Sequence, residues 1–292
     1  MSEEKYVPNY AKFAIGGLAG MTATLFVQPL DLIKNRMQLS GKKVSLGSIV
    51  SGVIKTEGIF AFYNGLSAGL LRQATYTTTR LGIYTWLLEV ASKDGQPSFF
   101  TKAIMGMGAG VAGSFVGTPA EVALIRMTSD GRLPLAQRRN YKNVFDAIIR
   151  ILKEEGLFTL WRGAVPTMGR AMVVNAAQLA SYSQAKQMLL ATGYFKENIT
   201  LHFTGSMISG IITTIASMPV DIAKTRIQDM KMVDGKPEFS GTFDVLKKIV
   251  VREGPLALWK GFIPYYCRLG PHTVLTFIFL EQYTRAYKQY MA

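Results

Sequence analysis

A composite motif occurs three times along the chain, and this repetition constrains the fold more than any other feature of the sequence. Its first part is a proline, an acid two residues later and an arginine seven residues later, at 29–36, 119–126 and 219–226. Its second part is Glu-Gly followed by an aromatic-x-Gly step, at 57–65, 155–163 and 253–261. Because both parts recur in the same order, the sequence indicates three tandem repeats, over 1–98, 99–196 and 197–292.

Each repeat contains two long apolar segments, one ending past the proline motif and one beginning after the aromatic-x-Gly step. They predict helices over about 11–38, 66–92, 99–129, 164–189, 200–230 and 262–288. The connecting segments 44–56, 141–153 and 239–251 alternate apolar and basic residues at helical spacing, which is typical of helices lying on a membrane surface. The predicted fold class is therefore an all-α membrane protein with six transmembrane helices, pseudo-threefold symmetry and three short amphipathic helices.

Composition and charge narrow the classes of function. Only 18% of residues are charged, against about 25% in soluble domains. The net charge of +14 suits an anionic partner, yet the bases recur at fixed repeat positions between apolar helices, so no nucleic-acid partner is expected. The single cysteine excludes an intramolecular disulfide and a cysteine-based zinc site. With no nucleophile–base pair, metal cluster or phosphate loop, we expect neither an enzyme nor a cofactor, and no cleavable presequence is evident.

Three such repeats over almost the whole chain resemble the mitochondrial carrier family. The stretches 65–80, 119–127 and 268–273 are similar in particular to members that exchange 2-oxoglutarate and malate. The resemblance implies electroneutral antiport of small dicarboxylates by alternating access across the mitochondrial inner membrane, with both termini on the intermembrane-space side. It also implies structural cardiolipin near the start of the second membrane helix of each repeat. Dicarboxylate/phosphate exchange and uncoupling-type proton transport stay open as alternatives, whereas the Arg-Arg-Arg-Met-Met-Met run of adenine-nucleotide exchangers is absent.

The charges of the proline motifs predict a gate at one end of the helices. Prolines kink membrane helices, and charges at this depth cost about 2.5–3.5 kcal/mol each, so they are expected to face inward and pair. In the family each acid pairs with the base of the next repeat and closes the matrix side, which implies a pair between Glu121 and Lys224. The same rule pairs Asp221 with Lys34. The arginines that end the motifs are expected to serve insertion or packing: Arg36, Arg126 and Arg226.

The third corner of this gate departs from the family pattern. Asp31 would face Leu124, so we expect the ring to lack one ion pair and the matrix-closed state to be weaker. Gln38 and Gln228 are similar to the glutamines that brace such pairs, whereas Thr128 is not. At the opposite end, the family places acids and bases on the second helix of each repeat. Here those positions keep only two charges, Lys186 and Glu281, so that gate is expected to form at most one ion pair.

Candidate substrate ligands stand seven residues past the repeat glycines, at one depth on three helices: Arg72, Arg170 and Arg268. The first of these helices continues with Tyr76 and Arg80 at one-turn intervals. Arginine binds carboxylates through a bidentate fork and stays charged. We therefore expect the four arginines to hold the two carboxylates of one ligand, with Tyr76 and Gln178 shaping the space between. The alternative is that these charges only raise the local concentration of anions.

Overall fold

Each repeat folds into two long helices joined by a short one. The computed structural model describes residues 9–40, 44–92, 98–194, 199–230, 232–233 and 236–290. The first long helix of each repeat carries the proline motif, and the second begins after the repeat glycine. The six are α1 (Asn9–Leu39), α3 (Leu66–Ala91), α4 (Phe99–Ser129), α6 (Ala164–Ala191), α7 (Ile199–Asp229) and α9 (Phe262–Tyr290).

The long helices have the length of membrane spans. With 26 to 31 residues, each is about 39–46 Å long, which exceeds the hydrocarbon core of a bilayer at about 30 Å. By length and hydropathy alone, two of them qualify as candidate membrane spans, at Phe100–Arg132 and Thr204–Asp229. Helix α3 is less apolar because its sequence includes Arg72, Arg80 and a run of threonines.

The six long helices form a closed ring. Within the repeats, α1 packs against α3, α4 against α6, and α7 against α9. Between the repeats, α3 packs along α4, α6 along α7, and α9 returns to α1. The ring therefore has the pseudo-threefold symmetry of the repeats, and the predicted all-α fold class is confirmed.

The short helices α2 (Leu46–Thr56), α5 (Val144–Glu155) and α8 (Thr242–Glu253) pack against the first helix of their own repeat. One buried residue of each joins a fully buried residue of the long helix: Val53 with Leu32, Ile151 with Val122, and Ile249 with Ile222. The predicted segment at 141–153 starts three residues before α5. The helix begins later because the Asn143 side chain caps it, accepting a 3.0 Å hydrogen bond from the Asp146 N–H.

The repeat glycines mark the start of α3, α6 and α9. Gly65, Gly163 and Gly261 have φ angles of +82°, +88° and +86°, a left-handed conformation that costs glycine little and other residues more. Each glycine therefore turns the chain sharply from the surface segment into the second membrane helix. This requirement explains why glycine ends the second part of the composite motif.

The proline of α7 removes one helical hydrogen bond, and a neighbouring side chain replaces it. Pro219 has no N–H to donate to the carbonyl of Ile215, one turn earlier. The indole N–H of Trp259 donates to that carbonyl at 3.0 Å instead. The aromatic residue of the composite motif thus satisfies a backbone acceptor that the proline leaves unpaired inside the membrane.

The arginines that end the proline motifs join the repeats at one end of the ring. Each forms a two-bond ion pair with the glutamate of its own Glu-Gly step: Arg36 with Glu57, Arg126 with Glu155, and Arg226 with Glu253. Each also donates its Nε–H to a carbonyl of the next repeat, at 3.0, 3.3 and 3.1 Å, on Thr128, Gln228 and Gln38. These three clamps are the packing role that the sequence predicts for the arginines.

A loop after α4 adds an asymmetric contact to the clamps. Arg132 of the second repeat donates to the Leu39 carbonyl of the first repeat at 2.6 Å and to the Asp229 carboxylate of the third at 3.0 Å. Arg139 and Ser129 also bond to Asp229. The third repeat has a two-stranded hairpin in the corresponding region, β1 (Met232–Val233) with β2 (Lys236–Pro237), which the sequence does not predict.

Candidate functional site

A cavity of about 1140 Å³ lies inside the helix ring. Its lining begins at Glu121 and Lys224, beyond which the clamps and the proline motifs fill the ring; we call this the closed end. It extends to Gly16 and Lys288, near the two chain termini, which we call the open end. All six predicted substrate residues line it between these limits: Arg72, Tyr76, Arg80, Arg170, Gln178 and Arg268.

Two predicted ion pairs form at the closed end. Lys224 Nζ lies 2.6 Å from Glu121 Oε1, and Lys34 contacts the Asp221 carboxylate. All four side chains are buried. Each pair joins the first helices of neighbouring repeats, α4 with α7 and α7 with α1, as the family pattern implies.

The predicted glutamines brace these pairs. Gln38 donates to the Asp221 carboxylate at 3.0 Å, and Gln228 lies 3.5 Å from the Glu121 carboxylate and 3.4 Å from the Thr167 hydroxyl. Both amides are fully buried, so these bonds give partners to amide N–H groups that water does not reach. The structure thus brings together every residue predicted for the matrix gate except Asp31.

The prediction that Asp31 lacks a cationic partner is wrong. Arg268 Nη1 lies 2.8 Å from Asp31 Oδ1, because α9 packs along α1 and the arginine side chain is long enough to reach the carboxylate. Leu124 instead packs with Ala68 and Met127 in an apolar cluster. Each of the three acids in the ring therefore has a cationic partner, and the second helix of a repeat supplies the partner of Asp31.

Arg170 also contacts an acid of the closed end. Its Nε lies 2.7 Å from Asp221 Oδ1, and its Nη2 donates to the Tyr265 hydroxyl at 2.7 Å. Asp221 is therefore shared between Arg170 and Lys34. In this arrangement, two of the four arginines predicted to bind substrate are bonded to carboxylates of the protein itself.

Tyr265 is a site residue that the sequence reasoning did not identify. It is buried, and Lys34 Nζ lies 4.6 Å from its ring centroid, a favourable cation–π arrangement. It stands four residues after its repeat glycine, the same place that Thr167 holds in the second repeat. Because Thr167 lies 3.4 Å from Glu121, comparing equivalent positions across the repeats would have identified both residues.

The wall formed by α3 presents arginines that are not bonded to acids. Among the described residues, neither Arg72 nor Arg80 forms an ion pair, and the buried Nε of Arg72 has no hydrogen-bond partner. Arg80 lies over the Tyr76 ring, 5.8 Å from its centroid, with Nη1 3.5 Å from the hydroxyl. Gly113 of α4 permits this packing, since a Cβ there would lie only 3.1 Å from the Arg80 Cβ. The cavity therefore offers two available guanidinium groups on one wall.

The mitochondrial carrier protein family matches residues 5–95, 95–193 and 195–291, one match for each repeat. The chain belongs to the mitochondrial carrier family. It is 67% identical to the mitochondrial 2-oxoglutarate/malate carrier protein of Homo sapiens, over 97% of this chain and 92% of that protein. It is also 67% identical to the Caenorhabditis elegans protein of that name, over 100% and 97%, and 45% identical to a mitochondrial dicarboxylate/tricarboxylate transporter of Arabidopsis thaliana, over 99% of both.

Membership confirms the family resemblance and makes this carrier a mitochondrial membrane protein. The matched segments end within a few residues of the predicted repeat boundaries at 98 and 196. The cavity and the ring of acid–base pairs therefore belong to a transporter, and their geometry is to be interpreted as the site and the gate of a transport cycle.

The charges predicted for the second gate of the carrier do not meet in this structure. Glu281 pairs with Arg285 on its own helix at 2.5 Å, and both side chains are largely exposed. The cavity wall here consists of Leu280, Thr284 and Lys288, on a different face of α9. Since the cavity is open at this end, a pair between Lys186 and Glu281 stays a prediction for the state in which this end closes.

Proposed function

We propose that this carrier exchanges 2-oxoglutarate for malate across the mitochondrial inner membrane. The proposal rests on Arg72 and Arg80, which form no ion pair among the described residues. They lie on the α3 wall of a cavity that Arg170 and Arg268 also line. Two separated cationic regions suit a ligand with two carboxylates. The proposal is supported by the relatives named mitochondrial 2-oxoglutarate/malate carrier protein, which are 67% identical over almost the full chain.

Binding would begin from the open end. A carboxylate that reaches the α3 wall accepts charge-assisted hydrogen bonds from Arg72 and Arg80, each contributing about 1.5–3 kcal/mol. The second carboxylate of the same ligand then lies toward Arg170 and Arg268. Tyr76 separates the two α3 arginines, and its ring contributes an apolar surface for the carbon chain.

Alternating access requires the closed end to open and the open end to close. Opening breaks buried ion pairs such as Glu121–Lys224, which is costly without compensation. The free energy of substrate binding offsets this cost, because a ligand can shift a conformational equilibrium only through its differential affinity. An empty carrier lacks this contribution and does not return, so the transport is exchange. One dianion moves in each direction, and the exchange is electroneutral.

The orientation follows from the same proposal. The closed end, with its proline motifs and clamps, faces the matrix, and the open end faces the intermembrane space together with both chain termini. An epitope placed at either terminus is then accessible to antibody in mitochondria whose outer membrane alone has been opened. Accessibility only after the inner membrane is also opened would reverse this orientation.

A pocket between the first two repeats fits the expected cardiolipin. Its volume is about 450 Å³, and its lining includes Gly65, Leu66 and Lys142. Gly65 provides no side-chain cap for α3, so no cap side chain occupies the first N–H groups of this helix, which can serve as anion donors. The two acids in the lining are already bonded: Glu57 to Arg36, and Asp130 to the Arg139 and Asn140 N–H groups. Lys142 and the first N–H groups of α3 would then be the donors to a lipid phosphate.

Uptake of labelled 2-oxoglutarate by liposomes containing the purified carrier tests the proposed exchange. Separate preparations are preloaded with malate, 2-oxoglutarate, phosphate, ADP or buffer. We expect rapid uptake against internal malate or 2-oxoglutarate only. Equal uptake against phosphate would indicate a dicarboxylate/phosphate exchanger, and uptake into empty liposomes would contradict the exchange mechanism.

A further inference from the structure

The three corners of the closed end hold their acids in two different ways. Glu121 and Asp221 pair with lysines from the proline motifs, Lys224 and Lys34. At the third corner Leu124 stands where the other proline motifs have a lysine, and Asp31 takes its cation from Arg268, a side chain that also lines the cavity. We propose, on the basis of the proposed function, that Arg268 is both a substrate ligand and the gate cation that pairs with Asp31. The substrate carboxylate and Asp31 then compete for one guanidinium.

The position of Arg268 supports this dual role. Its side chain is 20% exposed, whereas that of Asp31 is 9% exposed and is not part of the cavity lining. The guanidinium therefore has one side toward the cavity and one toward the buried acid. A carboxylate that accepts a two-bond fork from Arg268 uses donors that the Asp31 contact now occupies, since a bidentate pair takes two N–H groups in a fixed geometry.

The competition has a consequence only at this corner. Arg170 also lies between the cavity and an acid, but Asp221 keeps Lys34 and Gln38 when Arg170 turns away. Among the described residues, Arg268 is the only ion-pair partner of Asp31. Substrate binding thus leaves Asp31 as a buried carboxylate without a cation, an unfavourable state. The corner between α1 and α4 is where binding first weakens the gate.

Restoring the missing base tests this coupling. In Leu124→Lys the new ammonium pairs with Asp31 and releases Arg268, so binding no longer weakens the corner. We expect the maximal rate of 2-oxoglutarate/malate exchange to fall about tenfold while KM does not rise, with Leu124→Met as the matched uncharged control at near wild-type rate. Equal rates for the lysine and methionine variants would overturn the proposal.

A second variant keeps the test decisive if Leu124→Lys does not fold. Asp31→Asn removes the competitor of the substrate, so the KM for 2-oxoglutarate is expected to fall several-fold. A role of Asp31 limited to packing predicts a lower rate with KM unchanged, and that result would also overturn the proposal. Both tests use preparations in which the wild-type carrier exchanges 2-oxoglutarate for malate; failure of the wild type itself would instead contradict the proposed function.

Discussion

The closed and open ends of the helix ring are built from the same three repeats, but they differ in how their charges are paired. At the closed end, buried ion pairs join different repeats, as Glu121–Lys224 and Asp31–Arg268 do. At the open end, Glu281 pairs with Arg285 one turn away on the same helix, and both are exposed. A buried pair is costly to break on one side, whereas an exposed pair of this spacing contributes about 0.3–0.5 kcal/mol. The difference teaches that the main barrier to alternation lies at the closed end.

The largest effect is expected from Asp221, the acid shared by Lys34 and Arg170. In Asp221→Asn the buried Lys34 and the partly buried Arg170 lose their counter-charge, which destabilises this conformation by about 3–5 kcal/mol. The measurement is thermal unfolding of the purified carrier in detergent, with Glu281→Gln as the control from the open end. A decrease in Tm of equal size in both variants would remove the contrast between the two ends.

A smaller decrease is expected from one clamp of the closed end. Arg126 is fully buried and forms a two-bond pair with Glu155. Losing charge-assisted hydrogen bonds of this kind costs about 1.5–3 kcal/mol, so Arg126→Met is expected to lower the Tm by less than Asp221→Asn. Arg285→Met, at the open end, is the matched control and is expected to leave the Tm unchanged. An unaltered Tm in Arg126→Met would show that the clamp does not hold the repeats together.

The pH dependence of another clamp sharpens the comparison further. Burial acts to raise the pKa of Glu253, but hydrogen bonds and charge from Arg226 and Lys260 outweigh it and lower that pKa below its usual 4.5. The clamp therefore stabilises the fold fully above pH 4.5, and this contribution is lost as the pH falls through the lowered pKa. The Tm difference between the wild type and Glu253→Gln is expected to narrow between pH 7 and pH values below 4.5. A difference that stays constant would contradict the assignment.

The smallest effect is expected from the asymmetric loop contact at the closed end. The Arg132 side chain is 35% exposed where it meets Asp229, so Arg132→Ala is expected to cost about 1 kcal/mol or less. Arg138→Ala is the control, because the hydrogen bonds of Arg138 among the described residues lie within its own loop, to the carbonyls of Gly131 and Leu133. If Arg132→Ala lowered the Tm as much as Arg126→Met does, the loop contact would link the repeats as strongly as a clamp, which would contradict this expectation.

Much of the closed end could be predicted from the sequence, because the gate residues stand at fixed places in a repeated motif. The pairs of Glu121 with Lys224 and of Asp221 with Lys34 follow from the repeated motif together with the pairing rule that the family resemblance implies. The Asp31–Arg268 pair could not be predicted, because it depends on the depth at which α9 packs along α1 and on the reach of one side chain. Tyr265 was missed because it is polar only at its tip and belongs to no motif.

The predicted substrate residues gather around one cavity for a related reason. Equal spacing from the repeat glycines places Arg72, Arg170 and Arg268 at one depth, whatever the details of packing. The sequence does not reveal which of them are bonded to acids of the protein. That distinction depends on the neighbouring helix in space, and it separates the α3 wall from the walls of α6 and α9.

The central claim is that the carrier binds the dicarboxylates it exchanges with Arg72 and Arg80 of α3. One uptake measurement tests this claim most directly. Initial rates of 2-oxoglutarate uptake into malate-loaded liposomes are compared for the wild type, Arg80→Lys and Arg80→Leu. Losing a charge-assisted bond of about 1.5–3 kcal/mol predicts a decrease of at least tenfold for the leucine variant, with partial activity in the lysine variant. Uptake by Arg80→Leu at the wild-type rate would contradict the account.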